Sequence, residues 1–223
     1  MPNDAPAKVL LVHGLFMRAT ILRPMMAQLR RRGYQCLALT YPTRTQTLHD
    51  SVARHLPQIQ DFAGDAPLHA IGHSLGGLYL RHLRQQWPQG LARGRVVTLG
   101  TPHLGSKVGR YFHEHPWRRR ILGHCWEQGL DGEAPPWDGS IPLLSIAGTK
   151  AIGVGNALHI FAADEPNDGT VAVSETELPQ AAAFYRLPTS HSALQFDRKA
   201  ALLADRWFRA ESLTDETDAQ SDN

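Results

Sequence analysis

The sequence predicts an α/β fold, in which a parallel, doubly wound sheet of about six strands has helices on both faces. Two observations lead to this prediction. Short apolar runs alternate along the chain with stretches of helical periodicity, which is typical of parallel sheets with helical crossovers. Several of these runs, such as residues 9–12, are apolar at every position, as expected for strands that are covered on both faces.

The elements can be assigned in order along the chain. We predict strands at residues 8–13, 34–41, 68–73, 95–99, 142–147 and 184–187, and helices at residues 21–32, 48–62, 75–87 and 193–209. Gly33 after the first helix is a suitable C-terminal cap. With 223 residues and no internal repeat, the chain is expected to form one α/β domain over residues 1–210.

The interval between the fourth and fifth strands breaks this rhythm. Residues 106–140 contain five large aromatic side chains among prolines and charged residues: Tyr111, Phe112, Trp117, Trp126 and Trp137. In compact α/β domains such an insertion usually lies over the active site. We therefore expect a short cap at residues 106–140, the alternative being a loosely packed pair of helices beside the sheet.

Composition and charge exclude several classes of protein. Apolar residues make up 42% of the chain and charged residues 20%, and no stretch reaches the roughly 20 apolar residues of a membrane span. The N-terminus has no basic segment followed by an apolar run, so we expect a cytoplasmic protein unless a leader has been removed. Residues 211–223 carry five acidic side chains and no basic one, which predicts a disordered acidic tail. The basic excess of the remaining chain is dispersed, so no nucleic-acid partner is expected.

The strongest chemical signal is a Gly-x-Ser-x-Gly motif centred on Ser74, between a strand-like run and a helix-like run. A serine that attacks a carbonyl must stand on a sharp turn, and Gly72 and Gly76 allow the strand and helix to approach closely on either side. Ser74 is therefore the candidate nucleophile. The alternative is a tight turn with a capping serine.

A serine nucleophile needs a base, and the base needs an acid that orients it. His191 follows the last predicted strand and precedes the final helix, so its loop emerges at the carboxyl edge of the sheet, where Ser74 also lies. For the acid, Asp168 is favoured because Gly169 permits a tight turn that presents the carboxylate. Asp164 is the second choice, and an acidic surface turn is the alternative for both.

Two backbone N–H groups should stabilise the oxyanion of an acyl-transfer reaction. One is that of Leu75, directly after the nucleophile. The other is expected in the loop after the first strand, where Gly14 allows a turn that points the N–H of Leu15 inward. Phe16 is the second choice, and His13 is expected to be structural.

Four motifs occur together in a recognisable order: His-Gly-Leu-Phe at 13–16, Gly-His-Ser-Leu-Gly-Gly at 72–77, Gly-Thr-Pro-His-Leu-Gly-Ser at 100–106, and Asn-Asp-Gly-Thr at 167–170 with the later His191. Over residues 8–209 the chain resembles the α/β-hydrolase superfamily, particularly its bacterial lipase and esterase branch. The resemblance implies a reduced hydrolase core, Asp168 as the triad acid, and a structural role for His103. The His-Gly-Leu-Phe segment departs from the His-Gly-Gly-Gly form, so tolerance of bulky alcohols is not expected.

Other signals are weaker. His113, Glu114 and His115 with His124 and Cys125 match no standard metal-site spacing, and Cys36 and Cys125 form no Cys-x-x-Cys pair. Residues 153–158 lack the third glycine of a dinucleotide site. We therefore expect neither a metal nor a cofactor. Trp117 beside three arginines gives only a weak indication of contact with a lipid surface.

Together these residues predict a serine hydrolase that cleaves small carboxylic esters with short to medium acyl chains through an acyl-enzyme. The same triad would serve a thioesterase, an amidase or an acyl transferase. A non-catalytic binding protein with this fold is a further alternative. The sequence leaves the oligomeric state open.

Overall fold

The computed structural model of the chain describes residues 7–92 and 94–213. Its centre is one sheet of six parallel strands in the order β2-β1-β3-β4-β5-β6. The strands are β1 (Lys8–Val12), β2 (Gln35–Leu39), β3 (Leu68–His73), β4 (Val96–Leu99), β5 (Leu143–Gly148) and β6 (Ala183–Leu187). The predicted six-stranded parallel sheet is confirmed, and each strand lies within about two residues of its predicted bounds.

Eight α-helices connect or flank the strands: α1 (Arg23–Arg30), α2 (Leu48–Ala63), α3 (Leu75–Gln86), α4 (Lys107–His113), α5 (Arg119–Leu122), α6 (Val154–Ala157), α7 (Val173–Thr176) and α8 (Arg198–Phe208). Short 3₁₀ turns span Ala19–Leu22, Gly123–Cys125 and His191–Phe196, and a π-type segment spans Trp126–Leu130. The three α-helices of four residues and the seven-residue α4 were not predicted, because each is too short to show a helical period.

Helices cover both faces of the sheet, as predicted for a doubly wound fold. Along β1, Leu10 and Val12 belong to an apolar cluster with α2 and α3, whereas Val9 and Leu11 belong to a second cluster with α1 and α8. Alternate strand residues therefore supply two separate cores, which explains why β1 is apolar at nearly every position.

The direction of winding reverses between β1 and β3. From β1 the chain moves outward to β2, and it then returns to β3 on the other side of β1. The loops that leave the carboxyl ends of β1 and β3 diverge at such a reversal and open a crevice between them, which is where α/β proteins bind ligands. Leu15 follows β1 and Ser74 follows β3, so the fold brings both to this crevice.

One boundary in the C-terminal part differs clearly from its prediction. The predicted helix 193–209 is a 3₁₀ turn over His191–Phe196 followed by α8, which begins at Arg198. Asp197 separates them because its Oδ1 accepts hydrogen bonds from the N–H groups of Lys199 and Ala200, at 2.7 and 3.1 Å. This is an N-cap, and it fixes where the helix can start.

The insertion between β4 and β5 consists of short helical pieces packed on the core. Leu122, Cys125, Leu130 and Trp137 are buried in the same apolar cluster as α2 and α3, while Trp117 is 70% exposed. Most of the predicted acidic tail, residues 214–223, lies outside the described residues. Within the described part, no helix is long and apolar enough to cross a membrane.

Candidate active site

Ser74 lies between β3 and α3 with a backbone that side chains rarely adopt. Its φ and ψ are 55° and −122°, and such strain costs of order 1–3 kcal/mol unless surrounding contacts hold it. Here the Ser74 N–H donates to the Leu99 carbonyl at 2.8 Å, and its carbonyl accepts from the Thr101 hydroxyl at 2.9 Å and the Gly77 N–H at 3.0 Å. The strained turn is thus bound to β4 and to the loop that follows it.

The glycines of the motif are needed for close packing. A Cβ on Gly72 would lie 2.6 Å from the Cα of Gly77, and one on Gly76 would overlap the backbone carbonyl of Val12. Real Cβ atoms do not approach backbone atoms so closely, and a backbone cannot move aside as a long side chain can. Strand β3, strand β1 and helix α3 can meet at Ser74 only because these positions have no side chain.

His191 lies beside Ser74 at the start of the 3₁₀ turn after β6. Its Nε2 is 2.9 Å from Ser74 Oγ, and its Nδ1 is 2.7 Å from Asp168 Oδ2. Because the carboxylate accepts the Nδ1–H, Nε2 is free to accept a proton from the serine hydroxyl. The structure therefore brings the three predicted residues into one hydrogen-bonded chain.

Asp168 is held in place by its own turn. Its Oδ1 accepts the N–H groups of Thr170 and Val171 at 2.9 and 2.7 Å, and its carbonyl accepts the His191 N–H at 2.9 Å. The residue is 1% exposed. Asp164, the second choice for the acid, is exposed and forms no hydrogen bond or ion pair with any residue of the described chain. Of the two acidic candidates, Asp168 is the one that lies next to His191.

His73 is a neighbour of the site that the sequence analysis did not identify. It is fully buried, and its Nε2 is 3.0 Å from the backbone carbonyl of His191, to which it donates. Burial lowers the pKa of His73 to about 3, with the nearby His191 acting in the same direction, so the ring stays neutral. The neutral His73 ring thus fixes the backbone of His191 and does not compete with its side chain for a proton.

Gly100 is a second missed neighbour. Its φ is +57°, and a Cβ there would lie 2.9 Å from Asp168 Oδ2 and 3.0 Å from His191 Nδ1. A side chain at this position would press on the acid–base pair. The sequence analysis noted the Gly-Thr-Pro-His segment as structural, and the structure assigns His103 a fully buried hydrogen bond with the Thr98 hydroxyl at 3.0 Å.

The predicted oxyanion donors lie on the walls of the cavity into which Ser74 opens, Leu15 on one side and Leu75 at the start of α3. Within residues 7–92 and 94–213, nothing accepts a hydrogen bond from either backbone N–H. Phe16, the second choice, donates its N–H to the Thr43 hydroxyl at 3.3 Å. Leu15 is thus the residue of this loop whose N–H stays available. His13 is buried and stacks on Tyr41, with ring centroids 4.6 Å apart.

The cavity beside Ser74 has a volume of about 360 Å³ and is mostly apolar. Residues of the insertion, including Val108, Phe112 and Leu130, form much of its wall, and His191 lies at its polar end. This volume is at the lower end of the range of about 300–1,000 Å³ for small-molecule sites. The insertion therefore borders the space that an acyl chain attached to Ser74 would enter.

Three polar side chains from the core fasten the insertion by its backbone. Arg81 of α3 is buried and has no carboxylate partner among the described residues; it donates to the carbonyls of His103, Ala134 and Pro135 at 2.6–2.8 Å. His82 is 2.7 Å from the carbonyl of Gln128. Burial lowers the pKa of both groups, that of Arg81 to about 10. These bonds connect the helix of the nucleophile directly to the cap-like segment.

Glu175, on the acid side of the site, is the third of these side chains. Its Oε1 accepts the N–H of Lys107, the first residue of α4, at 2.5 Å, and its Oε2 accepts the N–H of Ala172 at 2.7 Å. Burial raises the pKa of this carboxyl to about 7, against the lowering effect of the two N–H donors. The segment that holds Asp168 is thereby joined to the first helix of the insertion.

The weaker candidate sites have structural roles. The His113 ring stacks on Trp126 at 4.3 Å between ring centroids, and the thiol of Cys125 lies 2.9 Å from the Leu122 carbonyl. In the part of the chain that the structure describes, no three His, Cys, Asp or Glu side chains are grouped as a metal site would require. Gly155 donates its N–H to the carbonyl of Gly169 at 2.8 Å, so the 153–158 segment packs against the turn of Asp168.

Comparison with known proteins relates this arrangement to other chains. Solved structures with the same fold include the mature form of the lipase BlEst2 from Bacillus licheniformis (21% identity, TM-score 0.67, covering 87% of this chain and 89% of that one) and the metagenomic carboxyl esterase MGS0156 (15%, 0.69, 93% and 77%). Phospholipase PlaB from Legionella pneumophila is also similar (18% identity, TM-score 0.57, covering 77% of this chain and 44% of that one). A search of curated proteins gives no significant match. The model of the alpha/beta hydrolase family matches residues 9–220, almost the whole chain. The chain therefore belongs to the alpha/beta hydrolase family.

Proposed function

We propose that the protein is a serine hydrolase that cleaves carboxylic esters of short to medium acyl chains. The observation that carries this proposal is the continuous chain from Ser74 Oγ through His191 to Asp168, which opens onto an apolar cavity. The lipase and esterases of similar fold are in agreement with it. Because they are under 25% identical to this chain, the proposal rests on the geometry and not on their names.

The proposed reaction proceeds through an acyl-enzyme. Ser74 Oγ attacks the ester carbonyl while His191 Nε2 accepts the hydroxyl proton, and Asp168 stabilises the imidazolium that results. The N–H groups of Leu15 and Leu75 stabilise the oxyanion of the tetrahedral intermediate. His191 then donates the proton to the departing alcohol oxygen, and a water molecule repeats the sequence to release the acid and restore Ser74.

Turnover of p-nitrophenyl butyrate tests the role of Ser74. We expect Ser74→Ala to lower kcat/KM by about 10⁴-fold or more, because loss of the nucleophile leaves only oxyanion stabilisation and binding. Ser174→Ala, which removes an exposed hydroxyl on α7, is the matched control and should keep the wild-type rate. A Ser74→Ala protein that is folded and retains a tenth of the activity would overturn the assignment.

We propose that residues 106–140 act as a cap that limits the acyl chain. The support is that this segment borders the cavity and that buried Arg81, His82 and Glu175 bind its backbone. p-Nitrophenyl esters from acetate to dodecanoate should show a maximum in kcat/KM at short or medium length. With tributyrin, activity should already be present below the solubility limit. A sharp increase only above the limit would identify a mobile lipase lid instead.

A panel of butyryl esters, thioesters and amides compared by kcat/KM identifies which type of acyl bond the protein cleaves, since the same triad would serve all three. We also propose a cytoplasmic location. Cys36 and Cys125 are both free thiols, which suits a reducing compartment. Fractionation of cells that produce the protein tests this location.

A further inference from the structure

A second hollow adjoins the cavity of Ser74 on the outside of the predicted oxyanion loop. It is open to solvent, has a volume of about 710 Å³, and is lined by the loop after β1, the loop after β2 and one turn of α2. Phe16 and Met17 line both this hollow, which we call the basic groove, and the cavity beside Ser74. The two hollows therefore meet at Phe16 and Met17, and a ligand whose ester carbonyl lies at Ser74 would reach the basic groove past these two residues.

The charge of the basic groove is entirely of one sign. Arg18, Arg44 and Arg54 line it together with His55, and among the residues that the structure describes no Asp or Glu belongs to its lining. Arg44 donates to the carbonyl of Arg120 at 2.6 Å and lies over the Phe16 ring, 5.7 Å from its centroid. Within the described chain, the guanidinium groups of Arg18 and Arg54 have no hydrogen-bond partner, and none of the three arginines forms an ion pair.

Four arginines elsewhere on the surface differ from those of the basic groove, because each has an acidic partner. Arg32, Arg84, Arg186 and Arg209 each lie within 3.4 Å of a carboxylate oxygen. Three cations that converge on one hollow without an acid among them repel one another, and an anion that enters relieves this repulsion. Guanidinium groups also match the oxygen geometry of phosphate and carboxylate, which they bind through paired N–H donors.

The two hollows differ in polarity and in openness to solvent, and this difference indicates which part of a substrate each one would hold. The cavity beside Ser74 is enclosed and apolar, which suits an acyl chain, whereas the basic groove is open and polar. We propose that the basic groove binds an anionic group, a phosphate or a carboxylate, on the alcohol portion of the ester substrate. This inference rests on the proposed function and names the substrate class of the same site. Arg18 and Arg54 are then specificity-determining residues, and Phe16 and Met17 form the passage between the two hollows.

Three butyrate esters of matched size test the inference. They are 4-phosphonooxyphenyl butyrate, 4-carboxyphenyl butyrate and the neutral 4-methoxyphenyl butyrate. The kcat/KM of each ester is divided by the rate constant of its hydroxide-catalysed hydrolysis. At low ionic strength, we expect kcat/KM for at least one anionic ester to exceed that of the neutral ester by about 10-fold, mainly through KM. The preference should decline as salt is added, because exposed charges are screened. Comparison of the two anionic esters distinguishes phosphate from carboxylate.

Arginine variants test whether the basic groove causes the preference for anionic esters. Arg18→Gln combined with Arg54→Gln should bring the ratio of anionic to neutral kcat/KM close to 1, and each single variant should give part of the loss. Arg31→Gln, an exposed arginine at the end of α1 outside the basic groove, should keep the wild-type ratio. A wild-type ratio near 1, or an unchanged ratio in the double variant, would overturn the inference while leaving ester hydrolysis intact.

Direct binding separates this inference from the proposed function. Calorimetric titration of the wild-type protein with phenyl phosphate and with benzoate requires no turnover. We expect at least one of the two to bind, with an affinity that falls at least 5-fold in the double variant and is unchanged in Arg31→Gln. Binding of neither anion overturns the basic groove as an anion site. Binding by a protein that hydrolyses no ester would retain the groove and refute the proposed reaction.

Discussion

The elbow of Ser74 and the insertion at residues 106–140 enclose the same cavity but are built in different ways. At the elbow, β1, β3 and α3 meet backbone to backbone, and Gly72 and Gly76 leave no space for a Cβ. In the insertion, helices of four to seven residues are held by apolar side chains and by three core side chains that bind its carbonyl and N–H groups.

This difference indicates how strongly each region should respond to substitutions. Backbone contacts at the elbow cannot relax, so substitutions there act on the whole active site. Side-chain bonds to the insertion can be removed one at a time, so its position over the cavity is adjustable. We therefore expect large effects from substitutions around Ser74 and graded effects from those in the bonds to the insertion.

After the loss of Ser74 itself, the largest effect is expected at Asp168. Asp168→Asn should lower kcat/KM on p-nitrophenyl butyrate by about 10³–10⁴-fold, because the amide favours the wrong tautomer of His191 and does not stabilise its cation. Asp164→Asn, four residues away and exposed, should stay within about twofold of the wild type. If the two variants lose activity equally, the acid has been assigned to the wrong residue.

Glycine substitutions compare the two regions directly. Gly76→Ala should destabilise the fold by about 3 kcal/mol or more, since the new Cβ overlaps the Val12 carbonyl. In Gly129→Ala, in the insertion, the new Cβ meets only side-chain ends, those of Leu48 at 3.3 Å and Leu78 at 4.0 Å, and stability should change by less than about 1 kcal/mol. Urea unfolding of both variants measures the difference, and equal losses would contradict the contrast between backbone and side-chain packing.

Removing a bond to the insertion should have an intermediate effect. Arg81→Met leaves the carbonyls of His103, Ala134 and Pro135 without their donor, at a cost of about 2–3 kcal/mol. Arg119→Met, an exposed arginine of α5, is the control and should remain within about 0.5 kcal/mol. We further expect Arg81→Met to broaden the acyl-chain preference. Unchanged stability and unchanged chain preference would show that Arg81 does not hold the insertion.

The smallest predicted effect is a pH dependence that arises at Glu175. Its pKa is about 7 in the fold and 4.5 in an unfolded chain, so between these values the folded state binds the proton more strongly. Stability contributed by the protonated carboxyl is therefore fully present below about pH 4.5 and is lost as pH rises through 7, by about 1–3 kcal/mol. In Glu175→Gln this contribution to the pH dependence of the free energy of unfolding disappears. Urea unfolding from pH 5 to 8 should show that the free energy of unfolding of the wild type falls relative to that of the variant as pH rises. A constant difference would contradict the assignment.

The sheet could be predicted because its signal is local. The four central strands are short runs that are buried at nearly every position, and the predicted fold and the positions of the strands along the chain are confirmed. The helix start at Arg198 was missed because Leu194, buried in a 3₁₀ turn, extends the apolar period. The capping residue Asp197 was the available signal for the break.

The site was predictable only where motifs mark it. Ser74, Asp168 and His191 stand in recognisable motifs, and the structure brings them together, although their chemical roles remain predictions. His73, Arg81 and Glu175 were missed because their partners are 118, 54 and 68 residues away, as measured at His191, Pro135 and Lys107. A buried polar side chain gives no sequence signal for a distant backbone partner. Only the position of His73 inside the elbow motif could have drawn attention to it.

Covalent labelling of Ser74 tests the central claim most directly. A fluorophosphonate probe reacts with a serine only where a base removes the hydroxyl proton and donors stabilise the oxyanion. We expect stoichiometric labelling of the wild-type protein, mapped by peptide mass spectrometry to Ser74, and no labelling of a folded Ser74→Ala variant. Labelling that persists in Ser74→Ala, or a native wild-type protein that the probe does not modify, would contradict the account.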